Sequence, residues 1–319
     1  MDKGQDGSTV MTFPGMGPMA SPEIMKFMMT DRFVRPLIDI ADDVLGYGLV
    51  DRYRESEGDY SEFAQLVFLL NCLALARHAE DRFGIDAEFC VGPSFGGKTA
   101  AAYAGTLSVS DAVWMTAQIA RCMEEYFSEE HQDVVTLSFV RTPEDRLGEI
   151  LAELAERGEW YDISCYLDHD FYMLSVCEKT APRVTQLVRA GGGMHLYTMR
   201  PPMHSAAFAG LRDTVAETVF SELTFADPRI PVVSDQDGKL VTTGEGMREL
   251  LLDSFVRPLR WPHAVRSLRD RGVSTMCVAG PDALFGRVAT TTRNFDVVPV
   301  GPRTVLRPRP VRLAPRASA

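Results

Sequence analysis

The sequence predicts an α/β protein in which a small β-α-β-β-α-β unit interrupts a larger α/β domain. Three observations carry this expectation. Strand-like and helical segments alternate up to about Glu130; between Val134 and Met199 the order changes to strand, helix, two strands, helix, strand; and the alternating pattern then resumes. The expected division is residues 1–133 and 201–319 for the large domain and 134–200 for a ferredoxin-like subdomain.

The elements follow in chain order. "TVMTFPG" (Thr9 to Gly15) reads as a buried strand that breaks at Pro14. Helical spacing of apolar residues runs from Pro22 to about Leu45 and again from Ser61 to Arg82. "AEFCVG" is a second short strand, and "GGKTAAAYAG" opens a small-residue helix ended by Gly105. In the small unit, "VVTLSFV", "DISCYL", "FYMLSVC" and "MHLYTM" are strands. "PEDRLGEILAELAER" and "APRVTQLVRAG" are the helices, the first with Leu147, Ile150, Leu151 and Leu154 on one face. Beyond it the pattern predicts a helix from Ser205 to Leu223, strand "IPVVSD", helices Thr243–Phe255 and Pro262–Arg271, strand "STMCVAG" and a helix from Ala283 to Thr290. The proline- and arginine-rich end, "GPRTVLRPRPVRLAPRASA", reads as irregular, an extended arm or a mobile tail.

Composition narrows the function. With 319 residues, 45% of them apolar, the chain can bury a large core. Its longest apolar run, "LVFLLNCLALA", is far short of the roughly 20 residues of a membrane span, and the first residues lack a secretory apolar segment, so a cytoplasmic protein is expected. Six cysteines without a CxxC pair or zinc spacing predict buried free thiols and no metal. A net charge of -11 disfavours general nucleic-acid binding. Positive charge is nevertheless gathered late, with seven arginines from Arg287 to Arg316 against one acid, Asp296.

The stretch "CVGPSFGGKTAAAYAG" carries the chemistry. A G-x-S-x-G string alone is a weak signal, but here a strand enters and a helix leaves at once, with Gly92 and Gly96 where side chains would collide with a sharp turn. Such an elbow presents Ser94 as a nucleophile and aims backbone N–H groups at a developing oxyanion. Of six histidines, His78, His131, His169, His195 and His263 read as surface or packing residues. His204, in "RPPMHSAAF", sits at a proline-rigidified junction just after the inserted unit and is the expected base.

"FPGMG", "GPSFGG", "PPMHSAAF", "RPLRW" and "VAGPDALFGRV", in this order over nearly the whole chain, resemble the motifs of the malonyl-CoA:acyl carrier protein transacylase family, which includes discrete acyltransferases of polyketide pathways. The resemblance implies an α/β-hydrolase-like large domain with an inserted ferredoxin-like subdomain. It implies Ser94 as the acylated nucleophile and His204 as its base, oriented by the backbone carbonyl of Ser254. Backbone N–H groups of Met16 and Phe95 would form the oxyanion hole. No bound cofactor is implied, the substrates being carried on phosphopantetheine, and the partners would be donor and acceptor acyl carrier proteins.

Departures from the family pattern bear on the substrate. Alignment through Met123 and Glu124 puts Ile119 where malonyl-using members have an arginine that pairs with the substrate carboxylate; Arg121, about 200° further round the helix, faces away. Pro93 and Met203 replace a histidine and an aromatic residue, and with Ile119 and Gln65 they are assigned to the acyl pocket. A neutral acyl group follows, because an unpaired buried carboxylate is costly. The pattern most resembles the VinK type of vicenistatin and related macrolactam pathways, which moves an aminoacyl or dipeptidyl group between carriers. Alternatives are a malonyl- or acyl-CoA loader with an unusual anchor, an editing hydrolase, or a non-enzymatic scaffold. Arg146, Arg287 and Arg293 are the expected docking residues for an acidic carrier protein.

Overall fold

A computed structural model describes residues 7–17, 22–282 and 284–306 of the chain. The large domain begins with β1 (Ser8–Thr12), followed by helices α1 (Pro22–Thr30), α2 (Val34–Leu45), α3 (Leu49–Glu55) and α4 (Glu62–Phe83). Strand β2 (Phe89–Val91) then leads through the elbow into α5 (Gly96–Tyr103) and α6 (Val109–Glu129). The run expected to be helical from Pro22 to Leu45 is divided, because Asp31 accepts the Phe33 N–H at 2.9 Å and is held by His78 Nε2 at 2.7 Å. That turn ends α1 and restarts the chain as α2. The apolar run in α4 is a core helix, buried on nearly every side from Ala64 to Ala76. Asn71, in the middle of this run, donates to the Val67 carbonyl at 2.8 Å. Among the described residues no helix is long and apolar enough to cross a membrane.

The small unit contains β3 (Val134–Val140), α7 (Glu144–Glu156), β4 (Tyr161–Asp168), β5 (Phe171–Cys177), α8 (Ala181–Ala190) and β6 (Met194–Met199). Its strands lie in the order β6-β3-β5-β4, all antiparallel, the ferredoxin-like arrangement. Strand alternation divides its two faces. Val135, Leu137, Phe139 and Leu174 pack under α7 and α8, whereas Cys165, Leu167, Phe171 and Met173 face the large domain.

The chain returns through α9 (Ala209–Thr218), flanked by 3-10 turns at Ala206–Phe208 and Phe220–Glu222 within the stretch expected to be one helix, and continues to β7 (Val232–Val233), β8 (Leu240–Val241) and α10 (Gly244–Val256). Next come β9 (Leu259–Arg260), α11 (Trp261–Asp270), β10 (Val273–Ala279), α12 (Ala289–Thr292), β11 (Asp296–Val300) and α13 (Pro302–Leu306). The large sheet runs β11-β10-β1-β2-β7-β8, parallel except for the β7–β8 pair. Strand β9 leaves the large domain to pair in parallel with β4, so one sheet fastens the two units together.

Two expectations are corrected here. The helix expected from Ala283 to Thr290 is mostly turn: the Asp282 carboxylate accepts the N–H groups of Leu284, Phe285 and Gly286 at 2.8–3.0 Å, and a helix forms only over Ala289–Thr292. The chain end is not wholly irregular. Pro302 starts α13 at the first helical position, where its missing N–H costs nothing.

Candidate active site

Backbone constraints build the elbow before any side chain acts. Ser94 adopts φ 54°, a left-handed conformation uncommon for a non-glycine residue. The turn is tight enough that a Cβ on Gly92 would lie 2.1 Å from the Gly96 carbonyl oxygen, and one on Gly96 would lie 2.0 Å from that of Phe13. Neither position tolerates a side chain. The Ser94 N–H donates to Asp235 Oδ2 at 2.8 Å, tying the elbow's backbone to the loop after β7.

His204 comes from the junction of β6 and α9 and is also left-handed, at φ 64°. Its neighbour holds it there. The Ser205 N–H donates to the Phe255 carbonyl at 3.1 Å, and its Oγ donates to Asp162 Oδ2 at 2.7 Å while accepting the Ala207 N–H. The result is a 2.8 Å hydrogen bond between Ser94 Oγ and His204 Nε2. His204 also donates to the backbone carbonyl of Ser254, which fixes the tautomer that leaves Nε2 free to accept. Burial pushes its pKa down to about 4, the Ser254 bond opposing the shift, so the ring is a neutral base at physiological pH.

The dyad lies where two largely apolar cavities meet. The first is walled by Ile119, Met123, Leu251 and Phe255 and reaches Gln65 and Lys98; the second, between the large domain and the small sheet, is walled by Leu167, Phe171, Met173 and Phe285. Met16 lines both, and Phe95 the first. Among the described residues neither backbone N–H of these two donates to another protein group, and Phe95 precedes the first turn of α5.

The structure brings Ser94, His204, Met16, Phe95, Ser254, Ile119, Met203 and Gln65 together around this junction. It does not place Pro93 in the acyl cavity. Pro93 is buried behind the elbow, where its carbonyl accepts the Gly96 N–H at 3.0 Å, so the proline serves the turn. Arg121 is on the far side of α6, paired with both carboxylate oxygens of Glu62 at 2.8 and 2.9 Å.

Of the expected docking residues, Arg146 is turned into the helix layer, away from the cleft. Its guanidinium bonds Glu149 at 2.5 Å and the Leu187 carbonyl at 2.9 Å, joining α7 to α8. Arg287 and Arg293 are exposed and, among the described residues, in no ion pair. Arg287 follows Leu284 and Phe285, which line the second cavity, and its N–H donates to the Leu284 carbonyl at 2.9 Å. Arg303 is engaged with Glu23, and Arg307, Arg309, Arg312 and Arg316 lie outside the described residues.

Two residues at the site escaped the sequence reading. Lys98 lies four positions after Ser94, one turn along α5, and that spacing could have placed it on the same face. Asp235 offered less, since "SDQDG" reads as an ordinary turn. Burial raises Asp235 to about 6, opposed by its bond to the Ser94 N–H. The cysteines form no disulfide; Cys72, Cys90, Cys165 and Cys277 are buried, whereas Cys122 and Cys177 are only partly so. No group of metal-binding side chains occurs among the described residues.

The architecture has close counterparts. A complex described as a type II polyketide synthase acyl carrier protein with its malonyl-transacylase contains a chain that superimposes with TM-score 0.78 at 21% identity, over 92% of this chain and 95% of that one. The fold is that of the acyl carrier protein transacylases. Within this transacylase fold, residues 138–199 match the family model described as the VinK acyltransferase small domain. In sequence the chain is similar to a malonyl CoA-acyl carrier protein transacylase of Escherichia coli O157:H7, 23% identical over 90% of this chain and 92% of the relative. A Bacillus subtilis protein of the same description is 24% identical, covering 68% of this chain and 54% of the relative. Polyketide synthase GfsA of Streptomyces halstedii is 29% identical over 70% of this chain, which spans only 3% of that much longer protein.

Proposed function

We propose that this chain is an acyltransferase of polyketide biosynthesis, of the macrolactam type, moving a neutral acyl group, aminoacyl or dipeptidyl, between acyl carrier proteins by way of a Ser94 ester. The observation that carries the reading is the Ser94–His204 hydrogen bond of 2.8 Å at the junction of two cavities. Acyl transfer between thiols requires room on both sides of the nucleophile, one space for the acyl chain and one for the pantetheine arm. The similarity of residues 138–199 to the VinK small domain and of the chain to transacylases and a polyketide synthase supports the same reading.

In the first half-reaction His204 Nε2 takes the Ser94 proton as Oγ attacks the thioester carbonyl carbon. The tetrahedral oxyanion is met by the N–H groups of Met16 and Phe95. Collapse breaks the carbon–sulfur bond, and the proton on His204 passes to the leaving thiolate. The second half runs in reverse with a different pantetheine thiol, regenerating Ser94. No bound cofactor enters this scheme. Arg287, two residues after the Phe285 that lines the second cavity, and Arg293 are exposed and would draw in an acidic carrier despite the overall charge of -11.

The test is incubation with acyl-pantetheine thioesters and acyl carriers, followed by intact mass of the protein. A one-acyl mass increase that Ser94→Ala abolishes supports the assignment; a full adduct on Ser94→Ala overturns it. A second reading, a loader of carboxylated acyl groups with an unusual anchor, is favoured by one feature, the Lys98 amine in the first cavity.

A further inference from the structure

Lys98 is the one cation among the described residues lining the first cavity, and no carboxylate lines it. Its Nζ donates to Gln65 Oε1 at 3.2 Å and lies 4.8 Å from the centre of the Phe95 ring. Gln65 is itself fixed, its Nε2 donating to the Tyr60 carbonyl at 3.0 Å. A lysine amine has three or, when neutral, two donor hydrogens, and Gln65 takes one. The ring face offers only a weak partner. In a wall otherwise built from Ile119, Met123, Leu251 and Phe255, at least one N–H is left for whatever occupies the cavity.

We infer that Lys98, held by Gln65, is a specificity-determining residue that donates a hydrogen bond to an acceptor oxygen on the acyl chain, an amide carbonyl or a carboxylate. The inference rests on the acyl-transfer reading and sharpens its substrate class. An acyl chain with a peptide-like carbonyl satisfies this donor without importing a charge beside it.

Among the described residues, the surrounding groups bring no free charge to the cavity. Tyr60 is pushed up by burial and stays neutral, and His204, at about 4, is neutral as well. Glu62, one turn from Gln65 on α4, is occupied by Tyr47 and Arg121, and Asp235 is bound to the Ser94 N–H. Burial lowers Lys98 to about 7, so at neutral pH the charged and neutral amines are both present. Both donate N–H, but only the charged form favours a carboxylate over an amide.

The experiment compares initial rates of Ser94 acylation by hexanoyl, N-acetyl-β-alanyl and succinyl thioesters of pantetheine, read by intact mass. Wild type should prefer an acceptor-bearing chain over hexanoyl by roughly tenfold or more, the size of one hydrogen bond to a charged donor. Lys98→Met should bring that ratio close to one, Gln65→Met should reduce it by less, and Lys98→Arg, which keeps a donor, should retain it. An unchanged ratio in Lys98→Met, with a Tm near wild type, overturns the inference. If succinyl outruns the amide and loses its lead as pH rises from 6 to 8.5, the role of Lys98 stands and the neutral-acyl reading falls. If no thioester acylates Ser94, the acyl-transfer reading falls and this inference with it.

Discussion

The two ends of the first cavity are built by different means. At the reacting end, position is fixed by backbone: Ser94 and His204 are both left-handed, Gly92 and Gly96 admit no Cβ, and the Ser94 amide and the Ser254 carbonyl bind main chain to side chain. At the acyl end, position is fixed by side chains from α4, α5, α6 and α10 that fill space or offer a donor. Chemistry demands atoms within a few tenths of an ångström, which steric exclusion supplies; an acyl chain needs only volume and one polar match. The first end should tolerate little change, and the second should be open to redesign.

The largest expected effect tests whether the ends are separable. His204→Ala should slow acylation by roughly 100- to 10,000-fold, the usual worth of a general base, while leaving the ratio of acyl preferences as in wild type. Competition between paired thioesters measures that ratio, and a large change in it would show that the dyad also shapes the acyl end.

A pH profile sharpens the account of the reacting end. An imidazole of ordinary pKa near 6.5 would lose about thirtyfold in neutral fraction at pH 5. With its pKa held down to about 4 by burial, His204 should remain a base there. Acylation by hexanoyl-pantetheine in the double variant Asp235→Asn, Lys98→Met, which removes the other two groups titrating nearby, should therefore lack a tenfold decline between pH 7 and 5. Stability responds oppositely at the two residues. His204 binds a proton more readily when unfolded, so its contribution is lost as pH falls from about 6.5 toward 4. Asp235, raised to about 6, binds one more readily when folded and gains as pH falls through 6.

Ile119→Arg probes the acyl end. Placing a guanidinium in the cavity should raise the succinyl-to-hexanoyl ratio by about tenfold, a charge-assisted hydrogen bond gained, with some loss of Tm because the cation is buried when the site is empty. No change in the ratio would mean that position 119 does not meet the acyl chain. The smallest effect is expected outside both ends. Arg293→Glu should lower carrier-dependent turnover severalfold at low salt and less at high salt, with acylation by pantetheine thioesters little altered. Equal loss with both substrates would assign Arg293 to the fold.

Much of this was legible in the residues. The ferredoxin-like order followed from period-two and helical patterns between Val134 and Met199, because each strand there has one face under helices and one toward the large domain. The elbow was legible because a turn that excludes Cβ atoms requires glycine, and only a few residue types can stand at Ser94 and His204. The sequence alone thus determined the α/β order, the inserted unit and the two side chains, Ser94 and His204, that meet at the elbow. Other features depended on partners distant in the chain. Asp31 divides a helical run because His78, far along α4, comes to meet it. Asp282 turned an expected helix into a loop by accepting three amides at once. Arg146 was expected at the cleft but found Glu149 and the Leu187 carbonyl within reach. Lys98 became a cavity residue only when α4 and α6 closed around α5, and Asp235 became the partner of the Ser94 amide only when β7 was laid beside β2. These are non-local contacts. Their strength depends on which groups the packed fold brings together and removes from water, and spacing along one chain does not encode that.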